Sequence, residues 1–244
     1  MNPEKPSELS PEDKSIKREV FTDMKETGRG EAPKPQQDWD LVWVISGPDM
    51  DIAEDFQGNK EVLFNKDDKS AEKDAERKVN ESRERFETGI KVAKEVTALR
   101  LGKRVEELTM DDLINNSPDV YWNGGDWQNA NLRQRIKEGF LDRYNFPSEK
   151  VIVSPDFGIQ NTGDNFDKIE DSVIENRRKI AIVSDTYHLP RVRRLLCKEG
   201  CKISEEDSIL YPSEPRRVPV GKALGEIKKI PGYTHKGILG NPNK

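Results

Sequence analysis

The stretch Lys179-Ile180-Ala181-Ile182-Val183-Ser184-Asp185-Thr186-Tyr187-His188-Leu189-Pro190-Arg191 decides how this chain folds. Its first five residues form an almost unbroken apolar run of strand length, as expected where helices cover both faces of a parallel strand. A short polar loop follows, and then a helical pattern carrying Val192, Leu195 and Leu196, closed by Gly200. The unit strand, polar loop, helix recurs upstream. Lys150–Val153 leads through the loop Ser154 to Thr162 into a helix with Phe166, Ile169 and Val173. Val120-Tyr121-Trp122 leads through Asn123-Gly124-Gly125-Asp126 into a helix marked by Leu132, Ile136, Phe140 and Tyr144, ended before Pro147. Leu41–Ile45 stops at Ser46-Gly47-Pro48-Asp49, and its helix carries Phe86, Ile90, Ala93, Val96 and Arg100 at spacings of three or four, ended by Gly102. Thr109 and Asp112 make a capping box for a smaller helix. A last strand is expected near Ile209-Leu210-Tyr211, with Cys201 to Ile203 a weaker candidate, and there is no internal repeat. Parallel neighbours need a crossover, so this alternation predicts an α/β, Rossmann-like, mostly parallel sheet with helices on both faces.

Outside these units the chain is strongly charged. Of its 244 residues 36% are charged and 33% hydrophobic, so a globular domain must be diluted by solvated segments. Residues 1 to 37 hold seven hydrophobic residues and five prolines, which predicts a disordered charged tail in which Ile16, Val20, Phe21 and Met24 could form a turn or two of docking helix. The domain is expected over 38–212, with a charged insertion over 49–84; from Lys66 to Arg85, 14 of 20 residues are charged, the mark of a solvated helix or a mobile insertion. Residues 213–244, rich in Gly, Pro and Lys, are expected to be an irregular extension. No stretch approaches the roughly 18 apolar residues of a membrane span and the N-terminus lacks a signal-like apolar core, so a soluble, cytoplasmic protein is predicted. A net charge of −5 gives no broad basic field and argues against nucleic acid as partner. Cys197 and Cys201 are too few for a disulfide framework and read as reduced thiols.

Ligands of open parallel sheets bind beyond the carboxyl ends of the strands. Here those loops are Ser46 to Asp51, Asn123 to Asn129, Ser154 to Asn165 and Ser184 to Arg191, all rich in Asn, Asp, Ser, Thr and Gly. Gly124 and Gly125 suit either plain turn chemistry or close backbone approach to a ligand. In Asn161-Thr162-Gly163-Asp164-Asn165, one side chain can cap the helix, while Asn165 can aim into the crevice. Ser184, Asp185, Tyr187, His188 and Arg191 carry the densest signal. His188 and Arg191 share a helical face near an N-terminus and could receive a phosphate or carboxylate, and His188, with Asp185, is also the candidate for proton transfer. Asp49, Asp51 and Asp126 could hold a divalent cation, but one D-x-D pair among 46 acidic residues is cheap coincidence, and no metal site is assigned. Neither G-x-G-x-x-G nor a Walker motif is present, nor a G-x-S-x-G elbow.

The apolar strand ending in Gly47, Arg85-Phe86 with Ile90 and Ala93, Asn123-Gly124-Gly125, Asn161-Thr162-x-x-Asn165 and Val183-Ser184-x-x-Tyr187-His188-x-x-Arg191 together resemble the YdcF/SanA/ElyC family, a largely uncharacterised bacterial domain, from about Trp39 to Tyr211. The resemblance implies a Rossmann-like domain whose crevice is formed by these loops. It implies binding of S-adenosylmethionine or a similar nucleotide in the cytoplasmic branch, and envelope or cell-wall biogenesis in the membrane-anchored branches. Carried over, Gly47, Arg85, Gly124, Gly125, Thr162, Asn165, His188 and Arg191 match family positions. The long charged insertion after the first loop departs from the family pattern, as does the absence of an apolar N-terminal anchor.

The expected function is therefore that of a binder of a nucleotide-type or phosphorylated small molecule, a hydrolase or transferase, with S-adenosylmethionine or a divalent cation as possible cofactors. In this reading Arg85 and Arg191 neutralise an anionic group, Asn165 and Thr162 orient polar groups, and His188 transfers a proton. The alternatives are a ligand-sensing or interaction module without turnover, and an envelope factor acting on sugar or lipid phosphates.

Overall fold

The computed structural model describes residues 10–46, 69–175, 179–213 and 220–240. Five parallel strands form one sheet: β1 (Leu41–Ile45), β2 (Asp119–Asn123), β3 (Val151–Val153), β4 (Ile180–Ser184) and β5 (Ser208–Pro212), in the order β3-β2-β1-β4-β5. β1 pairs with β2 from Leu41 opposite Asp119 and with β4 from Leu41 opposite Ile180, so the three central strands end level with one another. From β1 the chain builds outward to β3, then returns to start β4 on the other side. The strand order therefore reverses between β1 and β4, and this is where the loops diverge and leave a crevice.

β1 and β4 are buried throughout, which explains their apolar runs. Val42, Val44, Val120, Trp122, Ala181 and Val183 face one layer, formed by α2 (Lys69–Leu101), α3 (Met110–Asn116) and α4 (Asp126–Lys137) through Phe86, Ile90, Ala93, Val96, Leu113 and Leu132. Leu41, Trp43, Ile45, Tyr121, Ile180 and Ile182 face the other, formed by α1 (Pro11–Arg29), α5 (Thr162–Asp167), α6 (Asp171–Ile174), α7 (Leu189–Leu196) and α8 (Val220–His235). The fold is thus α/β and Rossmann-like, with helices on both faces. Gly89 lets α2 lie flat on the sheet: a Cβ there would drive into Val44. Among the described residues no helix is long and apolar enough to cross a membrane.

Several expectations are corrected or narrowed. Residues 11–29, expected as part of a tail, form a 19-residue helix with Ile16, Val20 and Met24 buried and Phe21 exposed. The Ser10 side chain caps it with Pro11 in its first turn, and Arg194, 1% exposed, pairs with Glu19 at 2.9 Å. Of the expected insertion, residues 69–84 take the helical one of the two alternatives and are the first half of α2, while 49–68 lie outside the described residues. Residues 220–235 of the expected irregular extension are α8, packed against α1. Residues 201–203 form no strand, and the helix expected from Leu132 to Tyr144 breaks at Gly139, whose φ of +80° starts a separate 3-10 turn.

Candidate functional site

A crevice of about 350 Å³ opens above the carboxyl ends of β1 and β4. Its floor is a buried hydrogen-bonded network. Arg85 reaches from α2 to the end of β1, donating to the carbonyls of Ile45 (3.0 Å), the last residue of the strand, and Ser46 (2.6 Å). The same guanidinium donates to Asp185 Oδ2 at 2.5 Å, and Ser213 donates to Asp185 Oδ1 at 2.7 Å. Burial on its own would raise the Asp185 pKa. The Arg85 charge, with hydrogen bonds from Arg85, Ser213 and Tyr187, outweighs it and holds the carboxyl below its ordinary range. Asp185 thus ties the ends of β1 and β4 together; the proton-transfer partnership expected between its carboxylate and His188 is not formed.

His188 instead has two hydroxyl partners. Its Nδ1 lies 2.8 Å from Ser184 Oγ, the last residue of β4, and its Nε2 lies 3.0 Å from Thr162 Oγ1 at the start of α5. The ring is 7% exposed. Burial, then the charges of Arg191, Arg85 and Lys222, push its pKa well below the ordinary histidine value, so it is neutral at neutral pH. Its backbone caps α7, where Pro190 sits without needing a donor.

The β2 side is different. Asn123, fully buried, accepts from Trp43 Nε1 at 2.7 Å and donates to the Asn165 carbonyl at 2.9 Å, and Asn165 returns its amide to the Asn123 carbonyl and Oδ1. The amides of Gly124 and Gly125 are taken by Asn129 Oδ1 (2.8 Å) and Gln128 Oε1 (3.0 Å). A Cβ on Gly124 would sit 2.6 Å from Gln128 Oε1 and 2.9 Å from Trp122 Nε1, so its glycine is required by packing. The amide donors expected to meet a ligand here are spent inside the protein. Asn123 serves the fold, while Asn165 and Gly125 still line the crevice. Asn161 caps α5, accepting from the Gly163 and Asp164 amides, and Asp126 accepts from the Gly158 amide. Gly47, Asp49 and Asp51 lie outside the described residues.

The outer wall comes from α8. Lys222, Glu226 and Lys229, at spacings of four and three, form one helical stripe facing the crevice, while Ala223, Ile227 and Ile230 face the core. Arg191 is bound by Glu226 through both carboxylate oxygens, with Nε to Oε2 at 2.8 Å. The anion-receiving arginine expected on α7 is thus already half of a fork with a 6% exposed glutamate. Lys222 also lies over the ring of Tyr187, Nζ to centroid 5.5 Å. These α8 residues, with Gln128, Ile159 and Gln160, were not found from sequence. The 222/226/229 spacing was the available signal, obscured by three glycines and Pro231. Among the described residues no group of three or more His, Cys, Asp or Glu comes together as a metal site, and Cys197 and Cys201 are both free thiols.

Comparison with protein-family models, with curated proteins and with solved structures finds no match to this chain.

Proposed function

We propose that this protein binds a small phosphorylated anion in the crevice between β1 and β4, as a YdcF-like hydrolase or transferase. One observation carries the reading. The crevice lining holds four cationic side chains, Arg85, Arg191, Lys222 and Lys229; Asp185 pairs with Arg85 and Glu226 with Arg191, which leaves the site net positive in a chain whose net charge is −5. Cations gathered at one concave site against the overall charge focus the field where an anion would sit. The volume of the crevice suits a small molecule. An imidazole held between two hydroxyls, one of them on the crevice wall, suits proton transfer and so favours an enzyme over a sensor. A nucleotide or S-adenosylmethionine-like ligand is the finer form of the proposal.

Thermal shift against inorganic phosphate, sugar phosphates, nucleotides and S-adenosylmethionine tests it. A ligand at 100 times its dissociation constant stabilises by about 2.7 kcal/mol. Glu226→Gln is the informative variant: removing the carboxylate that occupies Arg191 should tighten anion binding several-fold, on the order of 1 kcal/mol, and Lys222→Gln should weaken it by a similar amount. Silence across the panel, or the same sign for both variants, would sink the proposal.

A further inference from the structure

We infer that Thr162 is the nucleophile of the crevice, its hydroxyl activated by His188 in a transfer of a phosphoryl group. This rests on the reading of the crevice as a site for a phosphorylated anion.

An imidazole has two nitrogens, and both of those of His188 are engaged by hydroxyls. With the ring 7% exposed, proton exchange between it and a molecule in the crevice runs through whichever hydroxyl the molecule can touch. Ser184 is fully buried at the end of β4, so its hydroxyl holds the ring and meets no ligand. Thr162 is half-buried and lines the crevice together with Arg191 and Lys222. Its hydroxyl has no capping duty, because Asn161 already accepts from the free amides of α5. What remains is a hydroxyl 3.0 Å from a neutral imidazole nitrogen, on the wall where the cations gather. That is the pairing of nucleophile and base, with the base oriented by a third group, that covalent catalysis requires.

The step needs the tautomer that carries its proton on Nδ1, donated to Ser184 Oγ, leaving the Nε2 lone pair for Thr162. As Oγ1 bonds to phosphorus, its proton moves to Nε2. The bond from phosphorus to the departing oxygen breaks and the electron pair leaves with that oxygen. With acetyl phosphate the departing group is acetate, stable without a proton, so the proton on His188 leaves through an oxygen of the phosphoryl group now on Thr162, which faces the crevice. Water then cleaves the Thr162 phosphate ester.

Acetyl phosphate is therefore the probe, applied to the full chain, quenched in acid and followed by peptide mass mapping. The expected result is a phosphoryl group on Thr162, lost in Thr162→Val, kept in Thr162→Ser, and formed about 100-fold more slowly in His188→Gln. Stabilisation by inorganic phosphate, measured on every variant, reports folding and crevice binding separately from chemistry. If His188→Gln does not fold, Ser184→Ala takes its place and is expected to slow labelling by releasing the ring. No label, a label on another residue, or an undiminished rate in the His188 or Ser184 variant overturns the inference. Phosphate stabilisation without label removes the nucleophile and leaves anion binding intact, whereas the absence of both removes the two together.

Discussion

The two walls of the crevice are made from the same kinds of residue and use them in opposite ways. On the β2 side Asn123, Asn165, Gly124 and Gly125 direct their polar groups at one another and at Trp43, Asn129 and Gln128. On the β4 side Thr162, His188 and Arg191 meet the crevice with α8 as their cover. Both strands end where the helices no longer cover the sheet, so each must satisfy backbone groups that have lost their ladder partners. The β2 side does so with carboxamides, which donate and accept together and close the account internally. Arg85, anchored by Asp185, does the same for the end of β1 and leaves the β4 loop to other work. A polar cluster at a strand end can thus be scaffolding or site, and the difference lies in whether its donors and acceptors cancel.

The largest effect that could break this comparison is on the closed wall. Asn123→Ala leaves the indole donor of Trp43 and part of Asn165 without partners, and should cost about 2–3 kcal/mol of unfolding free energy in urea titration. Phosphate affinity of the folded fraction should be unchanged. A stable variant with lost affinity would make Asn123 a ligand residue after all.

A smaller effect reports the open wall. His188 titrates well below the ordinary histidine value in the folded chain, so between that value and about 6.5 the unfolded chain binds the extra proton. Stability from the neutral ring is complete above about pH 6.5 and falls as pH drops below it, by at most about 1.4 kcal/mol per pH unit. His188→Gln should flatten this loss between pH 6.5 and 5. An unchanged profile would mean that the ring is solvated.

The smallest concerns α8. Gly225 has open space where a Cβ would stand, so Gly225→Ala should stabilise the chain by about 0.5–1 kcal/mol in thermal unfolding while leaving the crevice lining unchanged. Destabilisation would indicate that this part of α8 must bend.

The sheet was legible because its signal is simple: a strand buried on both faces has to be apolar along its length, as Leu41–Ile45 is throughout and β4 is from Ile180 to Val183. The loops over the crevice were legible for the same reason, since their positions follow from the strands. The division of labour among their residues was not. Nothing local distinguishes Asn123, which locks β2 to α5, from Thr162, which faces the crevice; the distinction lies in contacts such as Asn123 to Asn165, 42 positions apart. Helix α8 was hidden by its own composition. Gly221, Gly225 and Gly232 cost about 1 kcal/mol each and an interior proline about 3, and packing of Ile230 into the core shared with α1, together with the Arg191 fork, offsets them. Helix α1 was legible only as a turn or two of docking helix at Ile16, Val20, Phe21 and Met24; its full nineteen residues were not, because three buried side chains are a weak period until Arg194 and α8 are known to receive them.

Helix α1 also sets where the chain can be cut. Ile16, Val20 and Met24 share a core with Ile230 of α8, and Asp13 meets His235 at 2.9 Å. A chain trimmed to begin at residue 38 would keep every strand, the Arg85–Asp185 tie and the hydroxyls around His188. It would take away the bed on which Lys222, Glu226 and Lys229 are laid. Trimming there would also bare the core that Ile16, Val20 and Met24 cover and leave the buried Arg194 without Glu19, so the helix belongs to the folding unit and to the crevice wall alike.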